Sequence, residues 1–173
     1  MSIQFTQSVP QTPNARFLSI LQLLVENGVE FVLVGGVAGV LHGAPVNTFD
    51  VAIVHRRTPE NISRLLHSLD LLEARYRHSS DRNLRPGESH LLSPGHQLLM
   101  TRFGPLDVLG MIGNNHDYDE LIGKAVPMEL GSGLTMNVVS LPMLIQTKEE
   151  VGQSKDQVSL EILRETLRSK DKG

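Results

Sequence analysis

Apolar residues alternate between helical spacing and short unbroken runs along this chain, with Gly, Pro, Asn and Thr at the joins. Phe17, Ile20, Leu21, Leu23, Leu24 and Val25 give one broad apolar face, so a helix is expected there. Thr12 or Asn14 would cap it and Gly28 would end it. Phe31 to Val34 is four apolar residues in a row, a buried strand. Gly35-Gly36 then allows a sharp turn and leaves the backbone bare of side chains. Val37 to Leu41 predicts a short helix closed near Gly43, and Thr48 to Val54 a second strand that carries Asp50 among apolar neighbours. Thr58, Pro59 and Glu60 form a helix start, with Ile62, Leu65, Leu66 and Leu69 facing inward as far as about Asp70. Leu71 to Tyr76 reads as a short strand or an irregular segment.

The second half follows the same rules. Gln97–Phe103 and Leu106–Gly110 flank Gly104-Pro105 as a hairpin, and Asp107 lies just past its turn. Asn114 to Ala125 reads as a loop and a short helix. Val126–Leu130 and Leu134–Val139 flank Gly131-Ser132-Gly133 as a second hairpin. A helix opens at Pro142 and runs to about Val151. Ser154 caps a last one, with Val158, Leu160, Ile162, Leu163 and Leu167 apolar. The pattern predicts an α/β (α+β) domain over 13–168, with a mixed sheet, flanking helices and a helical C-terminal part. Residues 1–12 are expected to be a loose arm and 169–173 a polar tail.

Composition narrows the classes. The 173 residues, 40% hydrophobic and 20% charged, are enough for one packed core. The net charge of −3 excludes a broadly basic nucleic-acid binder but not a local basic patch. The absence of cysteine removes disulfides, thiolate zinc sites and a cysteine nucleophile. No apolar run approaches the ~18–20 residues of a membrane span. The first residues lack a signal-peptide pattern, so a cytoplasmic protein is expected.

The chemistry concentrates between Phe31 and Val54. There is no dinucleotide fingerprint: Gly36 and Gly39 have its second spacing, but Val34 stands where the first glycine belongs. No Walker A loop and no Gly-x-Ser-x-Gly elbow occurs, and the seven histidines form no strong zinc spacing. What stands out is a diglycine turn that can offer N–H groups to a phosphate, followed by Asp50, which can hold the Mg²⁺ of a triphosphate. Residues 77–96, with Arg77, Arg82, Arg85, His78, His90 and His96, read either as a solvated loop or as a loop facing a substrate.

Gly35-Gly36, thirteen residues, Asp50 and a later Asp107 together resemble the nucleotidyltransferase superfamily built on the DNA polymerase β-like core. Val34-Gly35-Gly36 matches its first element, Thr48 to Ala52 its acid-bearing strand, and Leu106-Asp107-Val108 its third carboxylate. The run Val34 to Gly43 is most similar to small bacterial minimal nucleotidyltransferases and abortive-infection proteins, which implies a weak link to toxin–antitoxin systems. The resemblance implies catalytic and metal-binding roles for Asp50 and Asp107, and phosphate binding by Gly35, Gly36, Lys148 and Lys155. It further implies Mg²⁺ and a nucleoside triphosphate, with a protein, RNA or small-molecule acceptor. The family strand reads D-x-D or D-x-E, whereas position 52 here is Ala52, and a methyl group cannot ligate a metal. Two readings follow: a nucleotidyltransferase impaired at, or variant in, its second metal position, or a catalytically silent module that binds a nucleotide, an RNA or a protein. Whether Ala52 is a natural or an introduced residue stays open at this point.

Overall fold

Strand β1 (Phe31–Val34) is buried along its whole length because it runs inside a seven-stranded sheet. The computed structural model describes residues 13–131, 133–152 and 157–172. Helix α1 (Pro13–Glu26) precedes β1, and helix α2 (Gly35–Leu41) and strand β2 (Val51–His55) follow it. Helix α3 (Pro59–Leu71), strand β3 (Arg75–Tyr76) and helix α4 (Glu88–Leu92) come next. The hairpin of β4 (His96–Thr101) and β5 (Gly104–Leu109) leads to helix α5 (Tyr118–Ile122). The chain closes with β6 (Ala125–Leu130), β7 (Leu134–Val139), α6 (Leu141–Val151) and α7 (Gln157–Asp171). The sheet order is β3-β4-β5-β2-β1-β7-β6. It is mixed: β1 runs parallel to β7 and β2 parallel to β5, and the other neighbours are antiparallel.

Local chemistry explains most element starts. The Thr58 side chain accepts the Asn61 N–H at the head of α3, Ser140 accepts that of Met143 in α6, and Asp117 that of Glu120 in α5. Pro sits in the first turn of α3 and of α6, where its missing N–H costs nothing. Apolar faces of these helices supply the core: Phe17, Ile20, Leu21, Leu23 and Leu24 from α1, Ile62, Leu65 and Leu69 from α3, and Leu160 and Leu163 from α7 are all buried. Each such leucine or isoleucine is worth about 1.5–3 kcal/mol of transfer free energy. Val158, expected on the apolar face of the last helix, is 73% exposed instead.

Boundaries differ from the pattern reading where backbone pairing ends early. Strand β2 begins at Val51, so Asp50 precedes the strand rather than lying within it. The ladder with β1 stops at the pair Val34–Ala52, because β1 itself turns into α2 at Gly35. The diglycine is the first turn of α2, not a separate turn before it. The β4–β5 turn falls on Arg102-Phe103, and this places Asp107 well inside β5, opposite Leu98. Helix α4 interrupts the segment read as irregular, and α7 stays helical through Asp171, beyond the start of the expected tail. The arm 1–12, the Thr12 and Ser154 caps, Ser132 and Lys155 lie outside the described residues.

His116 closes the loop after β5. Its ring is buried and meets carboxylates on both sides, Glu120 at Nδ1 and Glu150 at Nε2, 2.8 Å away. The Glu150 and Glu120 hydrogen bonds push the His116 pKa up. His42 and His55 are buried, and each ring Nε2 lies 2.7 Å from a backbone carbonyl oxygen (Val139 and Leu91), which gives them structural places. Among the described residues no helix is long and apolar enough to cross a membrane.

The end of β5 tolerates no added atom. A Cβ at Gly110 would lie 2.5 Å from the Ser93 carbonyl oxygen and 2.6 Å from Pro94 Cα, both backbone atoms. Gly110→Ala is expected to lower stability by about 1–3 kcal/mol in urea unfolding. Gly123→Ala, where the nearest atom is 3.5 Å away, should change it by no more than about 0.5 kcal/mol.

Candidate functional site

The sheet register writes one row of residues across four strands and beyond. Val34 pairs with Ala52, Ala52 with Asp107, and Asp107 with Leu98. The row continues past Leu98 to Arg77, whose backbone N–H donates to the Leu98 carbonyl at 3.2 Å. Cross-strand partners share a face. Asp107, Ala52 and Arg77 therefore project together, and Asp50, two residues before Ala52, joins them. Arg77 reaches back over the sheet: its Nη1 donates to Asp107 Oδ1 at 2.7 Å and to the Leu99 carbonyl at 3.0 Å. Its Nη2 stands 3.7 Å from Asp50 Oδ2.

Burial and charge are finely set here. The Arg77 and Asp107 side chains are 17% and 16% exposed, whereas Asp50 is 40% exposed. Burial pushes the Asp107 carboxyl up, the Arg77 hydrogen bond pulls it down, and the neighbouring Asp50 carboxylate pushes it up again, to about 6. The Asp107 carboxyl therefore keeps its proton to a higher pH than an ordinary carboxylate does.

Beside them lies a cavity of about 180 Å³, lined by Gly35, Gly36, Thr48, Asp50, Lys148 and Ser159 among others. Four of the predicted residues, Gly35, Gly36, Asp50 and Lys148, thus line one cavity, and Asp107 is not part of its lining. Lys148 has no ion-pair partner among the described residues, while Lys155 lies outside them. Both glycines are required by space. Gly35 has φ +73°, and a Cβ there would come 3.2 Å from Ala52 Cβ. A Cβ on Gly36 would collide with Thr48 at 2.6–2.7 Å. Gly36 is therefore packed under Thr48 and Gly35 against Ala52, so the diglycine is not bare as its sequence suggests. Thr48 in turn donates its hydroxyl to the Asp50 carbonyl at 3.2 Å and holds the approach to β2.

The pattern reading missed Arg77 as a site residue, and with it Thr48 and Ser159. Arg77 was visible as a cation of the 77–96 segment, read either as a solvated loop or as a loop facing a substrate, 27 residues after Asp50.

Two Mg²⁺ ions need bridging carboxylates from both strands. Here Ala52 presents a methyl beside Asp107, and the Arg77 guanidinium sits between the two acids that exist. Among the described residues no group of three or more acidic, histidine or cysteine side chains is placed to hold a metal ion. The residues present do not fit a two-ion centre, and a single ion would have to displace Arg77.

No family model matches the chain, and no curated protein matches it by sequence. Solved structures do match in shape. A "putative nucleotidyltransferase" from Thermotoga maritima superposes with a TM-score of 0.57 over 96% of this chain and 99% of its own, at 17% identity. The chain has the nucleotidyltransferase fold. The lincosamide antibiotic adenylyltransferase LnuA, in its lincomycin-bound form, superposes with a TM-score of 0.55 over 91% of this chain and 98% of its own, at 12% identity. The nucleotidyltransferase fold accounts for the mixed seven-stranded sheet.

The raised Asp107 pKa has a signed consequence. Between the ordinary carboxylate value of about 4 and about 6, the folded protein holds a proton that the unfolded chain has lost. The Asp107 contribution to stability therefore falls as pH rises through that window, by up to about 3 kcal/mol. Urea unfolding from pH 4 to 7 should show this fall in the parent and a flatter profile in Asp107→Asn. Arg77→Met removes the one cation that lowers the group, so the Asp107 carboxyl, followed by carbon NMR, should titrate above 6.

Proposed function

We propose that this protein is a nucleotide-binding module on the nucleotidyltransferase fold, in which an internal guanidinium takes the place of catalytic metal. The observation that carries this reading is Arg77 bridging Asp50 and Asp107 next to a methyl at position 52. The ligand is a nucleoside triphosphate. Its phosphates would enter the cavity beside Gly35 and Gly36, where Lys148 supplies positive charge and Thr48 and Ser159 supply hydroxyl groups. At about 180 Å³ the cavity is smaller than the ~300–1,000 Å³ of a whole-ligand site, which suits a phosphate tail with the base outside. Phe49, 81% exposed on the same wall, offers that base a ring to lie on.

Nucleotidyl transfer is the second reading, favoured by the looser 3.7 Å contact of Asp50 and its 40% exposure. In that reading Arg77 leaves the acids when a metal–nucleotide complex arrives, and an acceptor (protein, RNA or small molecule) is consumed.

Isothermal titration with ATP, CTP, GTP and UTP, each in Mg²⁺ and in EDTA, separates the two. The binding reading expects at least one triphosphate to bind with less than about a threefold change on metal removal, and Lys148→Ala to weaken it about tenfold, the loss of one charge-assisted contact. Binding only with Mg²⁺, abolished by Asp50→Asn and accompanied by pyrophosphate release, would overturn it in favour of transfer. Appearance of transfer only in Ala52→Asp would identify position 52 as the point where activity was lost.

A further inference from the structure

At the sheet edge Arg77 also lines a trough of about 550 Å³, with Glu73, Arg75, Arg82 and Arg102 and with Tyr76, Ser79, Met100 and Thr101 between them. Four guanidinium groups face one carboxylate there, in a chain whose net charge is −3. The excess is local, as a specific anion site requires and as a generally basic surface does not.

The arginines are not equally occupied. Arg77 is committed to Asp107 and Asp50, and Arg102 lies 3.8 Å from Glu73 and 5.1 Å above the Phe103 ring. Arg75 and Arg82 have no hydrogen-bond or ion-pair partner among the described residues. Strand register explains the grouping. Arg75 pairs across the sheet edge with Met100, and β3 has no strand on its outer side, so nothing in the sheet covers it. Arg75 and Arg77 are two residues apart at this edge, and the β4–β5 turn brings Arg102 alongside.

We propose that this trough binds the phosphodiester backbone of a single-stranded nucleic acid. Guanidinium forks match phosphate oxygens, and several in one trough match a chain of phosphates better than a single one. The trough is about three times the volume of the cavity beside Gly35 and Gly36. The Met100 side chain, 40% exposed on its floor, and the Arg102 plane over Phe103 offer flat, weakly polar surface to unpaired bases. A duplex would need a broad basic face, whereas the arginine excess here is confined to one trough of a chain whose net charge is −3. The site is separate from the nucleotide cavity, and only Arg77 faces both the trough and the acids.

Fluorescence anisotropy of a labelled 12-nucleotide oligouridylate, at 50 and 200 mM salt, tests the assignment. Binding is expected to weaken with salt, with a slope that falls by about 0.7 for each phosphate-contacting arginine removed. Arg75→Gln and Arg82→Gln should each weaken binding about three- to tenfold and leave triphosphate titration unchanged, while Lys124→Gln should leave both unchanged. Circular dichroism and urea midpoints confirm that each variant is folded. Equal loss in Lys124→Gln, or no binding by the folded parent protein, would overturn the proposal. So would tighter binding of inorganic tripolyphosphate than of the oligonucleotide at the same arginines, which would assign the trough to a compact polyphosphate. Failure of triphosphate binding at the Gly35–Gly36 cavity leaves this test intact, because its variants and probe do not touch that cavity.

Discussion

Two carboxylates on one sheet face repel each other, and in this chain the cation that holds them together is part of the chain itself. At about 4 Å two like charges cost roughly 1 kcal/mol in water and about 4 kcal/mol near a protein surface. Asp50 and Asp107 share that cost with the guanidinium of Arg77, 2.7 Å from one and 3.7 Å from the other. The balance is incomplete, since burial and Asp50 together outweigh Arg77 at Asp107 and leave its pKa at about 6. Everything around the group serves this arrangement. The parallel pairing of β2 with β5 sets Asp107 beside Ala52, and the β3–β4 pairing sets Arg77 farther along the same row, with β4 between it and β5.

A fixed guanidinium and an exchangeable metal ion do different work on the same acids. The metal takes lone pairs from several directions, bridges to phosphate oxygens and neutralises charge where bonds change. The guanidinium offers donors in one plane: Nη1 is already used by Asp107 and Leu99, and Nη2 stands 3.7 Å from Asp50. The shared fold therefore does not fix what this site does, because chemistry resides in the site and not in the scaffold. The methyl of Ala52 also explains the glycine beside it: a Cβ at position 35 would come within 3.2 Å of the Ala52 Cβ.

Close packing extends this logic to the cavity wall. Thr48 over Gly36 and Ala52 against Gly35 make the diglycine a packing element as much as a turn. The same contacts hold the loop before β2 in place, so Asp50 stands at a fixed point although it lies outside the ladder. On the far side of the row, Arg77 belongs at once to the acid pair and to the arginine-lined trough, so charge placed in one is felt in the other.

Local signals were enough for much of this. Four apolar residues made β1, Thr58-Pro59 and Pro142 marked the starts of α3 and α6, and the Gly131–Gly133 segment joined β6 to β7, because caps, turns and strand runs depend on neighbours within a few residues. The diglycine, Asp50 and Asp107 were legible as residue types at a recognisable spacing, and so was the missing acid at position 52. Their partners were not legible. Arg77 meets Asp107 from 30 residues away, and it does so only because β3 is the edge strand and β4 lies between it and β5. Thr48 covers Gly36, and Asp50 falls just outside β2, through contacts that cross from one element to another. Residue chemistry and local geometry are written along the chain, but which charge neutralises which is decided by strand order and register, and those exist only once the sheet has formed.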